Sequence, residues 1–139
     1  MNQPAPPPPA IRIVIVGGSL ETQADLKYLL ERDPMIKVVG CAEHAIAALK
    51  LCDKLGPDLV VISLNSPVIN GVIGTRLLKS CFRGIKVLLI VKMGERKTLD
   101  YALQARADGY LFLPLSTEKI FKVIKNIIFK ASKRNEGRS

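Results

Sequence analysis

Histidine is almost missing from this chain, and the single one, His44, is too little for a histidine-based metal cluster or proton relay unless other residue types join it. It reads as a loop or helix-start residue. Cysteine is scarce as well: Cys41, Cys52 and Cys81 are odd in number, widely spaced and free of any CxxC pair, which argues against zinc and redox chemistry. They are expected as buried thiols, each acting as a small hydrophobe. Apolar runs are only strand-length, so no transmembrane segment and no membrane partner are expected. The start, MNQPAPPPPA, has neither the basic opening nor the apolar core of an export signal, and cytoplasmic residence is the expectation. Acidic residues are sparse in one half only. Residues 1–75 hold 6 Lys/Arg against 7 Asp/Glu, whereas residues 76–139 hold 15 against 5, so the formal charge of +9 sits in the C-terminal half. The skew favours an acidic partner or a nucleic-acid backbone, weighed against ordinary solvated lysines.

What is there fits one domain of 139 residues, with 48% hydrophobic and 24% charged residues. Residues 1–10 carry five of the nine prolines and are expected to form a disordered proline-rich arm outside the fold. Residues 11–130 form the domain, and 131–139 read as a basic linker or tail. Within the domain, short apolar runs alternate with amphipathic stretches. Strands are expected at 11–16, 36–42, 59–64, 86–91 and 109–113. After the first, Gly17-Gly18 makes a turn, Ser19 caps a helix, Glu21 sits in its first turn, and Leu26, Leu29 and Leu30 face inward. That helix stops near Asp33-Pro34. Ala45, Ala48, Leu49 and Cys52 recur at helical spacing, and Gly56-Pro57 closes the second helix. Ile73, Leu77, Leu78 and Cys81 outline a third, and Leu99, Ala102 and Leu103 a fourth. Ser116 caps a last helix with Ile120, Ile124, Ile127 and Ile128 on its core face. Five successive βα units require a parallel sheet covered by helices on both faces, a doubly wound α/β sandwich. Ligands of such folds sit at the C-terminal strand edge, where Gly17, Ser63, Val91 and Leu113 should converge.

The stretches IRIVIV, IKVVGCAEHAIAAL, PDLVVISLNSPVING, IKVLLIV and ADGYLFL carry a family signature in order and spacing. From Ile11 to about Phe129 the chain resembles the receiver domain of two-component response regulators, most like receivers that precede helix-turn-helix transcription domains. The resemblance implies a flavodoxin-like (βα)5 sandwich with strand order 2-1-3-4-5. It also implies a phosphorylation site built from an acid pair, an acceptor aspartate, a hydroxyl and a lysine. Those positions fall on Gly17 and Gly18, Ser63, Val91 and Leu113, so none of the five functional side chains is present. Magnesium needs oxygen ligands, usually including a carboxylate, and these positions offer none. Ser63 is a weak nucleophile without an adjacent base, and Leu113 cannot pair with a phosphoryl group. No catalytic residue, metal or cofactor is therefore expected, and the chain reads as a non-enzyme.

The turn G-G-S-L-E-T is neither GxGxxG nor GxxxxGK[ST], and Glu21 would oppose a bound anion, so a tight βα turn is favoured over a phosphate loop. Tyr110 stands where receivers carry their aromatic switch residue; an ordinary strand tyrosine is the equal alternative. The resemblance also implies a cis bond before Pro114. A positive surface is expected from Arg96, Lys97, Arg106, Lys119, Lys122 and Lys125, on the face that receivers commonly use for contacts. The resulting expectation is a phosphorylation-independent regulatory module that contacts itself as a homodimer or a regulatory protein, with DNA reached through an output domain outside this chain. The alternatives are a small-metabolite or nucleotide sensor using the emptied pocket, and nucleic-acid binding by the basic half.

Overall fold

The computed structural model describes residues 10–63, 68–92, 100 and 103–130. The proline-rich arm, the 131–139 tail, and Leu99 and Ala102 of the expected fourth helix lie outside the described residues. β1 (Ile11–Val16), β2 (Ile36–Ala42), β3 (Leu59–Ser63), β4 (Lys86–Lys92) and β5 (Gly109–Leu113) form one sheet of parallel strands in the order β2-β1-β3-β4-β5. β-Branched and leucine runs buried on both faces explain the central strands β1, β3 and β4, while the edge strands β2 and β5 are only partly buried. A register shift between Ile13 and Val14 lets β2 place an extra residue opposite β1.

Helices α1 (Leu20–Leu30), α2 (Ala45–Leu55), α3 (Val68–Cys81) and α4 (Thr117–Lys125) cover the sheet, and a π-helical turn, Asn126–Lys130, follows α4. Alternating strand residues divide the core. Ile13, Ile15, Leu59, Val61, Leu88 and Ile90 meet Leu26 and Leu30 of α1 and Ile120 and Ile124 of α4. On the other face Val14, Val60, Ile62, Val87 and Leu89 meet Ala48, Cys52 and Leu78 of α2 and α3. Three helices start as their caps dictate: Ser19 Oγ accepts from Thr22 N at 3.1 Å, His44 Nδ1 from Ala47 N at 3.3 Å, and Ser116 Oγ from Lys119 N at 3.4 Å. No helix among the described residues is long and apolar enough to cross a membrane.

The third helix turns a different face inward from the one its sequence suggests. Val72, Thr75 and Leu78 are buried, whereas Ile73 is 50% and Leu77 37% exposed. The cause is a close helix crossing: a Cβ on Gly74 would lie 2.6 Å from Ala45 Cβ, so α3 meets α2 through its smallest residue and rotates Ile73 and Leu77 outward. Cys81 is exposed for the same reason, and Cys41 is exposed because β2 is the sheet's edge. Only Cys52 is the buried thiol expected of all three, and burial pushes it up to about 11. Leu103 is helical as expected but 58% exposed, so it does not contribute to a core stripe.

Two aspartates order the N-terminal edge of the sheet. Asp58 Oδ2 accepts from Arg12 N at 2.8 Å, while Asp58 N donates to Arg12 O at 2.9 Å and Lys86 N donates to Asp58 O at 3.2 Å. Asp108 repeats the device one strand pair further on, exchanging 2.8 Å bonds with the Val87 backbone and pairing with Lys79 at 2.5 Å. A third aspartate ties α4 to the turn before β2: Asp33 Oδ2 lies 2.8 Å from Lys125 Nζ, and its Oδ1 accepts from Met35 N at 2.9 Å. The Lys125 contact, then the Met35 N–H, holds the Asp33 carboxyl below its ordinary value. A carboxyl depressed by folding adds stability above its unfolded value of about 3.9, and that stability is lost as pH falls through the folded value. Lys125→Met should therefore flatten the decline of Tm as pH is lowered from about 5 to about 2, measured by calorimetry.

Candidate functional site

The structure brings Gly17, Gly18, Ser63, Val91 and Leu113 to the C-terminal edge of the sheet. Val16 pairs with Ile62 and with Ala42, Ser63 with Ile90, Val91 with Phe112 and Lys92 with Leu113, so these residues all lie at one end of four neighbouring strands. The turn after β1 runs close across the end of β3. Gly17 and Gly18 have φ of 86° and 81°, and a Cβ built on Gly17 would lie 2.7 Å from the Ser63 carbonyl oxygen. Backbone shape thus favours glycine at both positions, and contact also requires it at Gly17.

Gln23 holds the turn in place. It lies on α1's inner stripe, three residues before Leu26 and seven before Leu30, and is only 5% exposed. Its Nε2 donates to Gly17 O and Ala42 O, both at 3.2 Å, and two carbonyl acceptors fix the amide with its NH2 toward the turn. Gly17 N in turn donates to Ala42 O at 2.9 Å. The polar requirement of this strand edge is met by protein groups.

At positions 91 and 113 the side chains are apolar. Val91 is buried in the α2/α3 layer, where Phe112 packs beside it. Leu113 packs into the opposite layer with Leu111 and Ile120. The Leu113–Pro114 bond is cis, as the resemblance implied. Tyr110 pairs with Leu89, is 40% exposed, and meets Phe112 edge to face with ring centroids 5.6 Å apart. Its ring lies half out of the sheet against a second aromatic.

These residues do not fit a magnesium ion. No carboxylate stands at 17, 18 or 63, and the closeness of Gly17 to Ser63 leaves position 17 no room for a side chain. Among the described residues no group of three or more His, Cys, Asp or Glu is arranged to hold a metal.

The expected positive face is only partly assembled. Arg106, Lys119 and Lys122 are exposed, and Arg106 adopts a left-handed φ of 66°. Lys125 does not belong to it, because its ammonium is engaged by Asp33. Arg96 and Lys97 lie outside the described residues. Sequence reasoning missed Gln23, Asp58 and Asp108. The available signals were a polar residue on an apolar helix stripe and an aspartate immediately before a strand in both PDL and ADG.

Gly17→Ala tests the packing of the turn. It should lower unfolding stability by about 1–3 kcal/mol in chemical denaturation, from backbone strain and the contact with Ser63.

Set beside known proteins, residues 13–125 match the response regulator receiver domain family. The chain is 29% identical over 117 residues to the transcriptional regulatory protein LnrK of Bacillus subtilis, covering 84% of this chain and 53% of that protein. It is 28% identical over 115 residues to the transcriptional regulatory protein DegU of Brevibacillus brevis, covering 83% and 49%. The chain therefore spans about half the length of these curated relatives. Among solved structures, the signal receiver domain of the NarL response regulator of Mycobacterium tuberculosis superposes with a TM-score of 0.77 at 25% identity, over 86% of this chain and 96% of that one. With the fold, the strand order and the sequence match in agreement, the chain belongs to the response regulator receiver domain family.

Proposed function

We propose that this receiver domain is a phosphorylation-independent, non-enzymatic module that acts through protein contacts, with a second copy of itself or with a regulatory protein. The observation that carries the reading is the turn after β1: its two glycines stand where the family's acid pair would be, and its backbone packs against Ser63. Aspartyl phosphotransfer needs a carboxylate nucleophile and a held cation, and positions 17, 18 and 63 supply neither. The same closeness weighs against a metabolite seated among Gly17, Gly18 and Ser63.

Contacts then fall to the surface around Tyr110, Arg106, Lys119 and Lys122, with the exposed Leu103 adding apolar area. A tyrosine among basic residues suits an interface, since aromatics and arginine dominate binding energy at contact centres. The curated relatives are transcriptional regulatory proteins and the chain spans about half of each. Regulation of transcription is accordingly the proposed setting, with DNA contact assigned to an output domain.

Sedimentation analysis tests this reading. Association should be unaffected by acetyl phosphate with magnesium, and Tyr110→Ala combined with Lys119→Glu should weaken self-association about tenfold or more. A monomer at all concentrations would remove the self-contact and leave the regulatory-protein partner. Association that switches on with acetyl phosphate would overturn the proposal.

A further inference from the structure

The opposite edge of the sheet has a cavity that the receiver chemistry does not use. It opens at the N-terminal ends of β3 and β4, between the C-terminal ends of α2 and α3, and has a volume of about 600 Å3. β3 spans five residues, roughly 15 Å, so this cavity and the Gly17–Ser63 edge lie at opposite ends of the strands. Its volume falls within the range of about 300–1,000 Å3 common to small-molecule sites.

The lining has two chemical parts. Cys52, Phe82, Ile85 and Ile128 supply an apolar wall. Ile128 reaches the cavity from the π-helical turn after α4, a rare conformation that is frequent at functional sites. The charged part consists of Arg83 and Lys86 against one carboxylate, Asp58. Asp58 is already engaged, its Oδ2 accepting from Arg12 N at 2.8 Å. The end of α2 would by itself repel an anion, but Arg12 Nη2 donates to Leu55 O at 2.6 Å and places a cation on that terminus. Lys86 is only loosely held, 4.0 Å from an Asp108 carboxylate that Lys79 approaches more closely. Arg83 is exposed and pairs with no carboxylate among the described residues. An apolar wall beside two available cations selects for a ligand with an apolar body and a single negative head.

We propose that this cavity binds a small amphipathic organic anion, its apolar body against Phe82, Ile85 and Ile128 and its acidic head at Arg83 and Lys86. The site is independent of the proposed loss of phosphotransfer. It requires only the N-terminal strand edge, which the Asp58 and Asp108 bonds hold in place.

Two probes test it on the full chain: anilinonaphthalene sulfonate, an aromatic anion, and decanoate, an aliphatic one, with decanol as the uncharged comparison. Residue-resolved NMR titration should show saturable shifts centred on residues 52, 56–58, 81–86 and 128 for both anions, with decanol binding about tenfold or more weakly. Arg83→Glu with Lys86→Glu should weaken both anions by a similar factor, whereas Lys27→Glu, at an exposed lysine of α1 outside the cavity, should change neither. Cys81 lines the cavity and is exposed, while Cys41 is exposed on β2, so either anion should slow maleimide labelling of Cys81 and leave Cys41 unchanged. Circular dichroism of the double variant confirms that it folds; if it does not, Cys81 protection in the unaltered chain decides the matter. Shifts centred elsewhere, equal affinity for decanol, or unprotected Cys81 at saturating probe would overturn the proposal.

Discussion

The turn after β1 passes the end of β3 at a distance that admits backbone and nothing more: a Cβ at position 17 would lie 2.7 Å from the Ser63 carbonyl oxygen. Positive φ at Gly17 and Gly18 makes this approach possible, and the buried Gln23 amide fixes it by bonding the ends of both β1 and β2. Restoring an acid at position 17 would therefore demand a different turn as well as a different side chain. The residues at 17, 18, 63, 91 and 113 are mutually compatible in packing, with Val91 beside Phe112 in one layer and Leu113 beside Leu111 in the other.

The two ends of the sheet follow different rules. At the C-terminal edge, among the described residues, the Gln23 amide bonds the ends of β1 and β2, while Val91 and Leu113 pack into the two core layers. At the N-terminal edge, Asp58 and Asp108 bond across strand pairs, and Arg83 and Lys86 line a cavity that also has an apolar wall. Family membership accounts for the framework. On the proposed reading, function lies in its surfaces and its second edge rather than at Ser63.

Much of this was legible in the sequence. Strands at 11–16, 36–42 and 109–113 match because short β-branched, aromatic and leucine runs between turn residues leave few alternatives. The family's strand order followed from five motifs in register. The face of α3 was illegible because Ile73 and Leu77 look like core on periodicity, whereas the crossing at Gly74 and Ala45 decides which side turns inward. Lys125 looked like part of a basic surface until the fold brought Asp33 beside it. Gln23, Asp58 and Asp108 escaped notice because their partners are backbone groups of distant strands, which no local pattern reports.

The central claim is that this strand edge no longer takes up a phosphoryl group with magnesium. NMR titration with magnesium and beryllofluoride, a mimic of the phosphoryl group, tests it most directly. The account predicts no saturable shifts at Gly17, Gly18, Ser63, Val91 or Leu113; specific saturable shifts centred on Ser63 would contradict it.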